Sequence, residues 1–256
     1  MNTLELFSLK GRKALITGSS RGIGFALAQG LAGAGAEIIL NGRNQMRLSE
    51  AAMQLRDTGA TVHQLPFDAA DPVDAKRAID RFEQDIGAID ILVNNAGMQF
   101  RTPLEDYPPA KFDELMRTNV NSVFYVGQAA AKHMIARGRG KIINICSINS
   151  ALARPTIAPY TASKGAVANL TKGMATDWAK HGLHINGLAP GYFKTELNEA
   201  LVSNPEFTQW LEKRTPMARW GDVSELVGAA VFLASDASSF VNGHILYVDG
   251  AISATL

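Results

Sequence analysis

A tyrosine and a lysine stand four positions apart in Pro159-Tyr160-Thr161-Ala162-Ser163-Lys164. Proline suits the first turn of a helix, where its missing N–H has no partner to lose. With Pro159 opening a helix, Tyr160 and Lys164 share one face, one turn apart. A free phenol titrates at about pH 10, too high for easy proton exchange at neutrality. A neighbouring ammonium favours the phenolate and lowers that value. The pair is therefore suited to giving and taking a proton. The same spacing also occurs on solvated helix faces, so the surrounding sequence decides its meaning.

A second chemical stretch is Thr17-Gly18-Ser19-Ser20-Arg21-Gly22-Ile23-Gly24. It follows a short apolar run and precedes a small-residue helical one. Glycines there allow a tight turn and let backbone N–H groups approach a pyrophosphate. The helix start adds donors and a positive dipole end. The spacing is G-x-x-x-G-x-G, not the commoner G-x-G-x-x-G. Gly18 to Gly22 also match G-x-S-x-G, which makes a serine hydrolase with Ser20 as nucleophile the rival reading. That fold sets an oxyanion loop after an earlier strand, and no strand pattern precedes residue 13.

The second strand pattern ends in Asn41-Gly42-Arg43-Asn44. A carboxylate near this point would bind the ribose 2′-hydroxyl of NAD. Arg43 stands there instead, and Arg21 lies in the glycine loop. Two guanidiniums suit a 2′-phosphate, so the expected cofactor is NADP(H).

The elements around these stretches alternate. Strand patterns fall at 13–16, 37–41, 61–65, 90–93, 141–146, 183–188 and 245–248. Helical patterns fall at 22–34, 46–57, 73–85, 111–136, 160–180, 195–213 and 223–235. The strands are continuous apolar runs, as expected when helices cover both faces. Strand–helix repetition predicts an α/β fold: a Rossmann-like, doubly wound parallel sheet of about seven strands. No linker or repeat divides residues 1–256, and residues 192–214 read as a lid over the site.

Composition narrows the function. Of 256 residues, 46% are hydrophobic and 19% charged, which suits a globular core, and the net charge of +1 gives no reason to expect nucleic acid or an acidic membrane. The five histidines and one cysteine form no metal-ligand pattern; His181 and His184 lack a third partner. Cys146 has no cysteine to pair with. Residues 1–13 do not read as a signal peptide, and the apolar run at 227–234 is too short to span a bilayer. The expectation is a cytoplasmic protein acting on a small molecule, without a metal.

Further motifs fall in order: Asn94-Asn95-Ala96-Gly97 after the fourth strand, Asn119 in the long helix, Ser147 after the fifth strand, and Pro190-Gly191 after the sixth. With the glycine loop and Tyr160-x-x-x-Lys164, the chain resembles the short-chain dehydrogenase/reductase family along nearly its whole length. The resemblance implies that Ser147 bonds the reacting oxygen and that Tyr160 exchanges its proton. Lys164 would hold the nicotinamide ribose and tune the tyrosine, and Asn119 would place a water leading from Lys164 to solvent. The cofactor would contact Gly18, Ser20, Arg21, Gly22, Ile23 and Gly24 in the loop, with Arg43 at the 2′-phosphate. Asp68 would meet adenine and Asn94 its ribose. Ala96, Gly97, Pro190 and Gly191 would line the cofactor, with Thr195 near the carboxamide. Singly, each has a plainer reading: Ser147 as a cap, Asn119 as a buried polar residue, Pro190-Gly191 as a turn.

Within the family, the stretches ILNGRN (39–44), KIINICS (141–147), APGYFKTE (189–196), KRTPMARWG (213–221) and FVNG (240–243) are similar to the branch acting on sugar acids of the gluconate and 5-ketogluconate type. That implies interconversion of a secondary alcohol and a ketone. A sugar acid needs a cation for its carboxylate and partners for its hydroxyls. Arg101 and Arg154 are placed to supply the first, and Gln99, Asn149 and Ser150 the second, beside Ser147 and Tyr160. The chain departs from that branch at Phe100, Asn149 and Ala151, where arginine, glutamine and glutamate are usual. The alternative is another keto substrate, such as a 3-oxoacyl group on a carrier. The resemblance also implies a homotetramer through the small-residue helices that carry Ala129, Ala130, Ala131 and Ala166.

Overall fold

Seven strands form one all-parallel sheet in the computed structural model, which describes residues 2–255. They are β1 (Lys13–Ile16), β2 (Glu37–Leu40), β3 (Val62–Gln64), β4 (Ile91–Asn94), β5 (Gly140–Ile145), β6 (Leu183–Pro190) and β7 (Ile245–Val248). Their order is β3-β2-β1-β4-β5-β6-β7. The chain steps outward from β1 to β3, then returns to lay β4 on the other side of β1. This reversal leaves a crevice beyond the carboxyl ends of β1 and β4, where open α/β sheets bind ligands.

The helices are α1 (Gly22–Gly33), α2 (Gln45–Arg56), α3 (Pro72–Asp85), α4 (Pro109–Met116), α5 (Ser122–Ala136), α6 (Ala158–Trp178), α7 (Glu199–Val202), α8 (Pro205–Arg214) and α9 (Val227–Ala234). Strand residues alternate between two cores, as the pleat requires. Ala14, Ile16, Ile91, Val93, Ile143 and Ile145 pack with α1, α2 and α9. Leu15, Leu92 and Ile142 pack with α3, α5 and α6. Both faces are buried, which is why the strands read as unbroken apolar runs.

Three expected elements differ. The helix expected over 111–136 is interrupted by a π-turn, Arg117–Asn121, between α4 and α5. The helix expected over 195–213 is broken into a short 3₁₀ turn at Glu196–Asn198, α7 and α8. Asn204 restarts the chain there: its side chain accepts from the Phe207 N–H, with Pro205 in the first turn. At 223–235 a 3₁₀ turn, Val223–Leu226, precedes α9. Thr3–Phe7, where no sequence pattern predicts an element, forms a 3₁₀ turn capped by Asn2.

Candidate active site

The carboxyl ends of the central strands open onto a cavity of about 660 Å³. Its nucleotide half is built on the glycine loop. Gly18 has φ +61° and Gly22 φ +57°, conformations that side chains resist. A Cβ at Gly24 would lie 2.4 Å from Asn95 Nδ2. That amide donates to the carbonyls of Thr17 (2.9 Å) and Gly18 (3.0 Å), while Thr17 Oγ1 accepts from the N–H groups of Asn95 (2.9 Å) and Ala96 (3.0 Å). Thr17 and Asn95 thus stitch the loop to the end of β4. Neither role is legible from the motifs alone, though Thr17 opens the glycine loop and Asn95 lies within Asn94–Gly97.

Gly18, Ser20, Arg21, Gly22, Ile23, Gly24, Arg43, Asp68, Ala96, Gly97, Pro190, Gly191 and Thr195 all line the cavity. Arg21 pairs with Glu196 at 2.5 Å, and Arg43 lies 3.9 Å from Asp68. Asn94 is not among the residues that line the cavity. It is the register partner of Asn144 on β5 and donates to Asn144 Oδ1 at 2.9 Å, below the cavity floor. Asn144 Nδ2 passes the chain on to Thr171 Oγ1.

The chemical half lies at the start of α6. The helix begins at Ala158, with Pro159 in its first turn. Tyr160 is half-buried and lines the cavity. Lys164 is buried; its ammonium donates to the Ile145 carbonyl at 2.7 Å and lies 5.7 Å from the centre of the Tyr160 ring. Ser147 also lines the cavity, and its Oγ accepts from the Asn149 N–H at 3.1 Å. The capping role and the exposure to the cavity therefore coexist. Ser150, expected to bond substrate hydroxyls, is engaged within the protein. It does not line the cavity, because its hydroxyl accepts from Ser147 N–H and donates to the Lys164 carbonyl, tying the turn to α6.

Asn119 sits in the π-turn, buried behind the lining. Its Oδ1 accepts from Met98 N–H at 2.8 Å; its Nδ2 donates to the Met98 carbonyl at 3.0 Å and to Ser163 Oγ at 3.2 Å. It thereby joins the loop after β4 to α6.

Gln99, Arg101, Asn149 and Arg154 line the remaining wall, with Tyr192, which the sequence reading did not single out. Arg101 donates to the Leu197 carbonyl and to Asn198 Oδ1 (3.1 Å). Its Nε and Gln99 Oε1 are buried without partners. Burial lowers the Arg101 pKa, and the charge of Arg154 lowers it further. Cys146 also lines the cavity, and burial pushes its thiol up to about 11. None of the five histidines lines the cavity, so Ser20 has no imidazole to activate it.

The family model described as Enoyl-(Acyl carrier protein) reductase matches residues 18–253. A gluconate 5-dehydrogenase of Gluconobacter oxydans is 60% identical over 256 residues, covering 100% of each chain. The chain belongs to the short-chain dehydrogenase/reductase family. Another member, the 5-keto-D-gluconate 5-reductase of Escherichia coli, is 51% identical over 97% of this chain and 98% of its own. A solved member, a gluconate 5-dehydrogenase from Burkholderia cenocepacia in complex with NADP and tartrate, superimposes with a TM-score of 0.98 at 58% identity, covering 100% of both chains. As in the family reading of the sequence, Ser147, Tyr160 and Lys164 of this short-chain dehydrogenase/reductase meet at one cavity. No helix among its described residues is long and apolar enough to cross a membrane.

Proposed function

We propose that the protein is an NADP(H)-dependent oxidoreductase that interconverts a secondary alcohol and a ketone on a sugar acid of the gluconate/5-ketogluconate type. The observation that carries this reading is the cavity wall built by the loops after β4 and β5. Arg101 and Arg154 share the cavity with Ser147 and Tyr160, and neither has a carboxylate partner among the described residues. The two acidic lining residues, Asp68 and Glu196, lie against Arg43 and Arg21 instead. Two uncompensated cations in a partly desolvated wall call for an anionic ligand. The unpartnered Gln99 Oε1 calls for a hydroxyl donor beside it, and the unpartnered Arg101 Nε for a hydroxyl or carboxylate acceptor. Relatives named for gluconate and 5-ketogluconate, one of them holding NADP and the hydroxy acid tartrate, support the same substrate class.

The nucleotide half fits NADP. The left-handed turns at Gly18 and Gly22, the start of α1 and the arginines 21 and 43 would hold its phosphates. When bound, the nicotinamide supplies hydride transfer to or from carbon. Ser147 donates its hydroxyl to the reacting oxygen and holds the carbon in line. Tyr160 gives its proton as the ketone is reduced and takes it back as the alcohol is oxidised. Lys164, fixed on the Ile145 carbonyl, keeps a positive charge beside the tyrosine. Asn119, which holds the Met98 loop against α6, places the water that leads from Lys164 to solvent. Residues 192–214 act as the lid, contributing Thr195, Glu196, Leu197, Asn198 and Leu201 to the cavity.

We also propose a cytoplasmic homotetramer. Phe112 on α4 and Phe124 on α5 are exposed, and Phe240 before β7 is fully so. These apolar surfaces support helix pairing between subunits, with a second contact near the C-terminal segment. Sedimentation as a monomer would rule the tetramer out.

The substrate assignment is tested by NADPH oxidation with 5-ketogluconate, a neutral ketohexose and an acetoacetyl thioester. The keto acid gives the highest kcat/KM. A higher value for the thioester would instead make the protein a 3-oxoacyl reductase.

A further inference from the structure

The two arginines that face the reacting centre come from loops after β4 and β5, yet both are held by the segment after β6. Arg101 donates to Leu197 and Asn198 at the start of that segment. Arg154 Nε donates to the Tyr192 hydroxyl at 3.0 Å, and its Nη1 donates to the Pro155 carbonyl at 3.2 Å. Its guanidinium also lies over the Phe207 ring, 5.4 Å from the centroid. Tyr192 is itself fixed: its ring stands edge-on to Phe207, Trp210 and Trp220, with centroids 5.6, 6.1 and 5.9 Å away.

We propose that Tyr192 is a positioning residue for carboxylate recognition, aiming Arg154 so that the protein prefers acidic over neutral keto sugars. The inference deepens the sugar-acid reading and rests on it. With Nε bound to Tyr192 and one Nη1 proton on Pro155, the outer edge of the guanidinium keeps its remaining donors for a carboxylate, which guanidinium recognises best in a fixed bidentate pose. Without the phenol oxygen, Nε loses its acceptor and the side chain regains rotamers that miss that pose. The hydroxyl donates its own proton to no protein group among the described residues, and its oxygen serves Arg154 as an acceptor. Burial raises the Tyr192 pKa, with Arg154 and Arg101 opposing, which keeps that proton on the phenol.

The test compares wild type, Tyr192→Phe, Arg154→Ala and the double variant, with NADPH and either 5-ketogluconate or a neutral ketohexose. Phenylalanine keeps the ring packing, so the melting temperature stays at the wild-type value. Tyr192→Phe raises KM for the keto acid about tenfold, as loss of a charge-assisted bond does, with kcat within about twofold. The neutral ketose is unaffected, and the double variant is no worse than Arg154→Ala alone. Equal losses on both substrates, or additive losses in the double variant, would overturn the role of Tyr192. A wild type that turns over the two substrates equally would overturn the sugar-acid reading and Tyr192's role with it. A wild-type preference that survives Tyr192→Phe would overturn only the latter.

Discussion

Arg21 in the glycine loop and Glu196 after β6 form an ion pair across the cavity, Nη1 to Oε2 at 2.5 Å. Both side chains are more than half exposed, at 56% and 58%. Such a pair contributes little on its own, so a dianionic 2′-phosphate can take the guanidinium from the carboxylate. Arg21→Ala is expected to weaken NADPH about tenfold or more while barely changing NADH. Glu196→Gln, which removes the competitor, should tighten NADPH slightly. Fluorescence titration of both cofactors with each variant measures this, and equal loss of both cofactors in Arg21→Ala would contradict it.

Gly24 has no room for a side chain against Asn95. Gly24→Ala must push Asn95 Nδ2 off the Thr17 and Gly18 carbonyls and reshape the loop. The expected outcome is a folded protein by circular dichroism with at least about a tenfold weaker grip on NADPH. Retained affinity would show that the loop does not hold the cofactor.

Tyr160→Phe should lower kcat by roughly 10² to 10⁴, the range for losing a general acid–base group, with melting temperature and NADPH affinity preserved. Lys164→Met should lower kcat and also stability, because the Ile145 carbonyl is left without its buried donor, at about 1–3 kcal/mol. Single-turnover rates beside thermal melts separate the two. A Tyr160→Phe enzyme with normal turnover would move the proton transfer elsewhere.

Lys141 opens the way to a pH test far from the cavity. Among the described residues its buried ammonium hydrogen-bonds only Ser238, Oγ at 3.2 Å and the carbonyl at 3.4 Å. Burial lowers its pKa from 10.5 to about 8; Asp236 opposes the shift and Arg12 adds to it. Between those values the unfolded chain binds the extra proton, so this group makes stability rise with pH there. Its contribution is complete above the unfolded value and is lost as pH falls through about 8. Against Lys141→Met, wild type should therefore gain up to about 3 kcal/mol between pH 7 and 10.5. Urea unfolding across that range checks the slope; a constant difference would refute it.

The strands were legible because helices cover both faces, so burial writes itself as unbroken Ile, Leu and Val. The cavity lining was legible because glycine, asparagine and serine at strand ends have few other uses together. What escaped depends on neighbours distant in sequence. Asn94 and Asn95 are the same residue type side by side; only the pairing of Asn94 with Asn144 decides which one turns inward. Ser150 was claimed by the Lys164 carbonyl. Tyr192 acquires its place from Phe207, Trp210 and Trp220, which no local pattern announces. The break before α8 was readable in Ser203-Asn204-Pro205, a stop followed by a cap and proline.

The π-turn at Arg117–Asn121 holds one residue more than a regular turn would. A single-residue deletion there would restore an ordinary helix, yet rotate everything before it by about 100° relative to α5. Asn119 could then no longer face Met98 and Ser163 together. The segment's irregularity thus works as a phase-setter, and a chain shortened by one residue at this point would lose its alignment between loop and helix while gaining regular hydrogen bonding.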